Sequence, residues 1–370
     1  MMRSCDIAVI GAGSAGLTAA VEAATLGAKV AVFDENSLPG GQLFKQIHKF
    51  FGSQAHHAGT RGFKIGEDLL EQAQETGVKI YLNTAVIGGF QSDKFDLLAI
   101  ENGQVCHEVS ARSLIAATGA SENPLAFEGW TLPGVMSAGA AQTMININRT
   151  LVGQNVLMVG AGNVGLIVSY QLLQAKANVV ALIEAAPQVG GYLVHAAKLS
   201  RRGVPILCSH TIVAANGADC VEKAIIAPVD AGFKPDIEKS IELEVDTICL
   251  AVGLNPMSEL LRQMGCPMHF TQILGGFVPV HDRRMQTPIK GIYVAGDVAG
   301  VEEASTAMEE GRVAGLSAAQ DLGFGDGNVS VKIERTWAML NALRSGPFGE
   351  NRYRAKEELF AAGGLAHGEG

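Results

Sequence analysis

One pattern occurs twice in this chain. Gly11-x-Gly13-x-x-Gly16 returns 149 residues later as Gly160-x-Gly162-x-x-Gly165. Each copy follows a short apolar run, Ile7–Ile10 and Val156–Val159, and opens a helix-like segment, Leu17–Leu26 and Leu166–Ala175. Each then enters a second apolar run closed by an acid, Asp34 or Glu184, 18 or 19 residues after the third glycine. With one inserted residue the correspondence continues: Gly40-Gly41 matches Gly190-Gly191 and Leu43 matches Leu193. A single glycine triplet says little; two, each in strand–turn–helix context with an acid at matching distance, constrain the fold strongly.

Physical chemistry gives each residue type a task. The first glycine permits the tight turn, the second lets backbone approach a pyrophosphate, and the third lets helix pack closely on strand. Amides at the helix N-terminus, aligned with the helix dipole, hold the phosphate charge. The terminal acid accepts hydrogen bonds from ribose hydroxyls. Two dinucleotides are therefore expected. At the second site Glu184 repels a 2′-phosphate, and Ala185-Ala186-Pro187 offers no arginine; Arg201 and Arg202 come seventeen residues later. NAD(H) is expected there rather than NADP(H).

Composition excludes other classes. Glycine supplies 45 of 370 residues without a collagen period, and 48% hydrophobic against 18% charged residues excludes a disordered chain. The net charge of −9 opposes nucleic-acid binding. The six cysteines, at 5, 106, 208, 220, 249 and 266, have no C-x-x-C, zinc or iron–sulfur spacing. Such scattered thiols fit a reducing cytosol, and cytoplasmic location is expected. Ile7–Val21 and the 26-residue stretch Thr150–Ala175 lack charge. Both read as buried strand–turn–helix units rather than membrane segments, because glutamines, asparagines and ordered glycines interrupt the second. His48, His56 and His57 lack metal-site spacing, and no metal is expected.

Three more strand ends complete the pattern. Leu114–Ala117 runs into Thr118-Gly119, and Ile248–Val252 into Gly253. Gly291-Ile292-Tyr293-Val294-Ala295-Gly296-Asp297 is a strand ending in an acid, followed by a helix-like stretch from about Ala304 to Leu322. Together with Gly11–Gly16 and Asp34, these segments resemble the two-dinucleotide flavoprotein superfamily that includes thioredoxin reductase, over about residues 5–322. The resemblance implies FAD in the first fold, held by Gly11, Gly13, Ser14, Ala15, Gly16, Asp34 or its neighbour Glu35, Gly41, Gln42, Val86, Thr118, Gly119, Gly296 and Asp297. It implies a nicotinamide nucleotide in the second, held by Gly160, Gly162, Asn163, Val164, Gly165, Glu184 and Gly253. The implied architecture is α/β, with two Rossmann-like doubly wound domains. The FAD domain comprises 1–123 and 287–325, the inserted NAD(H) domain 124–286, and a helical tail 326–370.

Gly129-Trp130-Thr131-Leu132-Pro133-Gly134 and the following Val135–Thr143 resemble a narrower branch. It contains the larger flavin subunits of opine oxidases, hydrogen cyanide synthase, sarcosine oxidase and dye-linked proline dehydrogenases. That resemblance implies a partner redox subunit; a homo-oligomer is the other expectation. The chain departs from both patterns: it lacks the thioredoxin reductase C-x-x-C, and no cysteine follows Cys266 to build a C-terminal iron–sulfur centre.

With no thiol pair or evident nucleophile, the flavin is the expected redox centre, and no catalytic side chain is assigned. One local feature stands out. Between Glu35 and Glu67 no acid occurs, yet Lys45, Lys49, Arg61 and Lys64 accompany three histidines. The segment reads either as a solvated loop before a helix from about Gly66, or as placing His48 and Lys49 where they modulate the flavin. In the tail, Trp337, Met339, Leu340 and Leu343 fall at near-helical spacing. They read either as a helix packed on the FAD domain or as a docking face, and Gly363–Gly368 as a loose end. Three functions fit the whole: a flavin subunit of an amine or amino-acid dehydrogenase complex linked to NAD(H); a self-contained NADH-dependent reductase of a quinone, ferredoxin or dioxygen; or a non-enzymatic nucleotide-binding scaffold.

Overall fold

A computed structural model describes residues 4–346 and 349–367, with side chains to Gly363. The chain divides into two units, residues up to 121 with 255 onward, and residues 122–254. The sequence expectation set the second crossing at 286/287. Residues 255–286 fall instead in the first unit, because Leu261, Cys266 and Met285 bury their side chains in its core.

In the first unit, β1 (Ser4–Ile10) leads through the first glycine turn into α1 (Ser14–Thr25), then β2 (Val30–Phe33), α2 (Gly62–Glu75) and β3 (Lys79–Tyr81). The chain then forms an antiparallel meander of β4 (Thr84–Gln91), β5 (Phe95–Glu101) and β6 (Val105–Ala116). Strand order is β3-β2-β1-β6-β5-β4, with Ile292–Val294 also pairing in parallel with β6. The twelve-residue β6 serves two partners along its length. Its first half pairs antiparallel with β5, and its second half runs parallel between β1 and Ile292–Val294. β2 is buried at all four positions, as expected for a parallel strand covered on both faces. The helix Ala304–Asp321 lies against α1 at close range: a Cβ on Gly311 would come within 2.2 Å of the Ala15 carbonyl oxygen, and one on Gly315 within 2.3 Å of that of Ala19.

The second unit repeats this plan. Five parallel strands are ordered Ile206–Cys208, Asn178–Glu184, Asn155–Val159, Thr247–Leu250 and Val135–Ser137. A three-stranded antiparallel meander accompanies them. Apolar residues at alternate positions of the parallel strands feed two cores on opposite faces, with Val156 and Met158 in one and Leu157 and Val159 in the other.

The tail packs back on the first unit as two helices, Val329–Arg344 and Glu350–His367. Trp337 donates its indole N–H to the Arg283 carbonyl at 2.8 Å and meets the Phe360 ring edge-on. It is therefore no free docking face. Nor are residues 363–367 a loose end, since the last helix includes them; Gly368 lies outside the described residues. The earlier helix likewise starts at Gly62 rather than Gly66. Among the described residues, no helix is long and apolar enough to cross a membrane.

Candidate functional site

The three glycines of each triplet do different things. Gly11 has φ +105° and Gly160 +107°, a backbone region that side chains disfavour. A Cβ on either would also lie 2.2 Å from a carbonyl oxygen, that of Ala117 or Ala251. The third glycine is closed by packing: a Cβ on Gly16 would be 1.9 Å from the Gly11 oxygen, and one on Gly165 2.0 Å from the Gly160 oxygen. The middle glycine is different. Gly13 and Gly162 are the N-cap residues of their helices, and a Cβ on either would meet nothing within 4 Å. Neither supplies a side-chain acceptor, so the first-turn amides face an open surface where an anion fits. Ser14 and Ala15 begin the first helix; Asn163 and Val164 begin the second.

The acids close each cradle. One Asp34 oxygen accepts the Ala12 N–H at 2.6 Å, while the other accepts the backbone and side-chain N–H groups of Asn36, both at 2.8 Å. Glu184 repeats this with Ala161 at 2.7 Å and Ala186 at 2.9 Å. Asp34 is buried and Glu35 exposed, so Asp34 is the acid fixed against the glycine turn. The following loop folds over the turn in both units. Gly40 N–H donates to Ala12 O at 2.6 Å, and Gly191 N–H to Ala161 O at 2.9 Å. Gly41 approaches Gly13 closely, with Gln42 exposed beside it. In the second unit the Asn163 side-chain oxygen accepts the Tyr192 N–H at 2.8 Å, and Gly253 faces Asn123.

Next to Gly11 and Asp34 a cavity of about 490 Å³ opens within the first unit. Glu35, Asn36, Val86, Thr118, Met257, Leu260 and Gln263 are among the residues lining it. Of the expected residues, the structure brings Gly11, Asp34, Glu35, Val86 and Thr118 to this one wall. The Thr118 hydroxyl donates to Met257 O at 2.6 Å, fixing the far wall. Sequence reasoning missed Asn36 and residues 257–263. An asparagine two residues after an aspartate is a local turn signal, whereas residues 257–263 reach the cavity from a distant part of the chain.

Gly119 (φ +78°) and Gly296 (φ +76°) sit just past the ends of β6 and Ile292–Val294. Asp297, on the short turn Gly296–Ala299, is partly buried, and desolvation pushes its carboxyl up to about 6. Its Oδ1 accepts the Glu302 N–H at 3.4 Å.

The positive segment is less solvated than a loop reading implies. His56 is buried, with Nδ1 2.8 Å from the Ser53 hydroxyl and Nε2 3.7 Å from Glu309. Lys64 pairs with Glu67 and Asp68. His48 stacks on Phe50, and Lys49 is exposed in an isolated bridge to Arg61; neither lines the cavity. Among the described residues no group of three or more histidines, cysteines and acids could hold a metal ion.

Two open amide cradles, each backed by a carboxylate, with a cavity beside the first, fit two bound dinucleotides. The sequence profile of the pyridine nucleotide-disulphide oxidoreductases matches residues 5–311. The chain belongs to this family. Its cradles fit FAD and a nicotinamide nucleotide. An opine oxidase subunit of Agrobacterium tumefaciens is 32% identical over 340 residues, which cover 86% of this chain but only 66% of that protein, just under two thirds. Hydrogen cyanide synthase subunit HcnB of Pseudomonas aeruginosa is 29% identical over 367 residues, 93% of this chain and 77% of that protein. Thioredoxin reductase of T. acidophilum superposes with a TM-score of 0.72 at 22% identity, covering 86% of this chain and 99% of that one. This last likeness speaks for the fold alone.

Proposed function

We propose that this chain is the flavin subunit of an amine- or amino-acid-oxidising complex, binding FAD in the first unit and NAD(H) in the second. The observation that carries the reading is the duplicated cradle: Gly13 and Gly162 leave open the one face of the turn that a pyrophosphate needs, while the first and third glycines of each triplet are closed in by backbone. Asp297, Thr118 and Val86 are the further residues assigned to FAD. FAD supplies two-electron chemistry, accepting or giving hydride. The chain's own residues bind it, orient it and hold its charge.

Glu184 supports the choice of NAD(H) over NADP(H). Its two oxygens already hold Ala161 and Ala186, which fixes a negative charge where a 2′-phosphate would lie. Arg201 and Arg202 are exposed beyond the end of the helix Leu193–Ser200 and do not neutralise it. A partner subunit is supported by the names of the relatives, which are themselves subunits of an oxidase and a synthase.

Anaerobic stopped-flow mixing of the FAD-loaded protein with NADH tests the reading. Rapid bleaching of the flavin, slower with NADPH, is expected. Nucleotide binding without bleaching would replace it with the scaffold reading. Turnover of a quinone or dioxygen at the full rate by the single chain would favour a self-contained reductase.

A further inference from the structure

The family match ends at residue 311, but a buried charge cluster crosses that limit. Glu310 is fully buried in the helix Ala304–Asp321. Its two cationic partners come from the tail: Arg344 at 2.5 Å and Lys356 at 2.7 Å, both also buried. A buried carboxylate survives only when paired and hydrogen-bonded, so Glu310 and the tail helices form one unit.

What the cluster grips is the turn Gly296–Ala299. The second Glu310 oxygen accepts the Gly296 N–H at 3.0 Å, and Lys356 Nζ donates to Ala299 O at 2.9 Å. Arg344 holds Glu302 through a two-nitrogen fork at 2.6–3.1 Å, and the Glu302 N–H in turn donates to Asp297. The turn is thus held on both sides of Asp297 and from beyond it. The last helix is seated by apolar contacts as well, with Ala355 and Leu359 in a small core with Leu274, Val278 and Val280. Phe360 packs edge-on against His281.

We propose that the two C-terminal helices are a clamp that sets the conformation of the Gly296–Ala299 turn, and that Lys356 and Arg344 are positioning residues for the flavin. The assignment to flavin rests on the reading that Asp297 meets FAD; the clamp on the turn does not. Such a device adds polar holds on the backbone of a turn whose Val298 and Ala299 side chains are already buried in the first unit's core. Loosening the tail would loosen the cofactor without touching the glycine cradle or the nucleotide of the second unit.

The test is Lys356→Met in the full chain, with two readouts. Amide hydrogen exchange on the FAD-free protein should speed up at least about tenfold at residues 295–303 while β1 and α1 keep wild-type rates. FAD affinity, by fluorescence titration, should fall at least about tenfold, with the affinity of the second unit for NADH unchanged. Should Lys356→Met fail to fold because Glu310 is under-paired, Lys356→Met with Glu310→Gln removes both charges. It still leaves the Ala299 carbonyl without its donor, so the same two changes are expected. Wild-type exchange in the turn, or wild-type FAD affinity with a loosened turn, overturns the proposal. Wild-type protein that takes up no FAD overturns both the functional reading and the flavin role of the two cations, while the exchange comparison still decides whether the tail clamps the turn.

Discussion

Alanine at Gly13 and alanine at Gly16 should have opposite consequences, although the two glycines stand three residues apart in one motif. At Gly13 the backbone (φ −77°) suits any residue, and the new methyl group meets no protein atom within 4 Å. The entropy gained from a stiffer unfolded chain, about 0.4–1 kcal/mol, is offset by the poorer helix cap, so stability should stay within about 0.5 kcal/mol of wild type. The methyl group instead occupies the space of the pyrophosphate. Losing two charge-assisted hydrogen bonds at about 1.5–3 kcal/mol each predicts a loss of at least about 3 kcal/mol, or roughly a hundredfold in FAD affinity. At Gly16 the methyl group would sit 1.9 Å from the Gly11 carbonyl oxygen, a backbone atom that cannot swing away. Helix and strand must part, at a cost of about 3 kcal/mol, near the upper end for overpacking. Thermal melts of FAD-free protein and fluorescence titration with FAD separate the two effects. A Gly13→Ala protein that binds FAD normally, or that melts as low as Gly16→Ala, would refute the division of labour among the glycines. Gly162→Ala and Gly165→Ala should repeat the contrast for NADH.

Three further outcomes are expected. Glu184→Ala combined with Ala185→Arg should move the preference toward NADPH by about tenfold or more, read as the ratio of flavin-bleaching rates with the two nucleotides. Asp297 is raised from 3.8 to about 6, so between those values the unfolded chain loses a proton that the folded chain keeps. Stability of the FAD-free protein should therefore fall by about 3 kcal/mol as pH rises through that window, and Asp297→Asn should remove this slope in denaturant titrations. His281 is lowered from 6.5 to about 3 by complete burial, with the Lys356 charge adding to the effect. Its contribution runs the other way: stability is lost as pH falls below 6.5, by up to about 5 kcal/mol, and His281→Leu should flatten that acid limb. Because the two slopes oppose each other, the wild-type profile alone would understate both.

The glycines and acids were legible in the sequence because close approach leaves few alternatives. Only glycine fits where a carbonyl oxygen lies 2 Å from a Cβ position, so the first and third glycines of each triplet are a direct record of contact. Asp34 and Glu184 were legible because the repeat fixes their distance from the turn. The cavity wall at residues 257–263 was not, since no local pattern tells a segment after the second unit that it returns to the first. The same cause displaced the expected boundary. Trp337 and its neighbours gave the right helical spacing, but periodicity names a face without saying what covers it; the bond to Arg283 O decides that. Nothing in the sequence marks Arg344 and Lys356, because burial of a charge is set entirely by what packs around it. His56 was hidden likewise, its acid partner Glu309 lying far along the chain.

The order in which the chain leaves the ribosome gives one of these features a kinetic meaning. The second unit finds every strand of its parallel sheet within residues 135–250, and can close while synthesis continues. The first unit must wait. Its β1–β6 sheet emerges early, but the strand Ile292–Val294 and the helix that seats its Gly311 and Gly315 on α1 arrive some 180 residues after β6, and the loop to be closed is correspondingly long. Until then the face of α1 that carries Ala15 and Ala19 lacks its covering helix. The first unit is therefore completed later in synthesis than the second, once residues 292–321 have joined the sheet and α1.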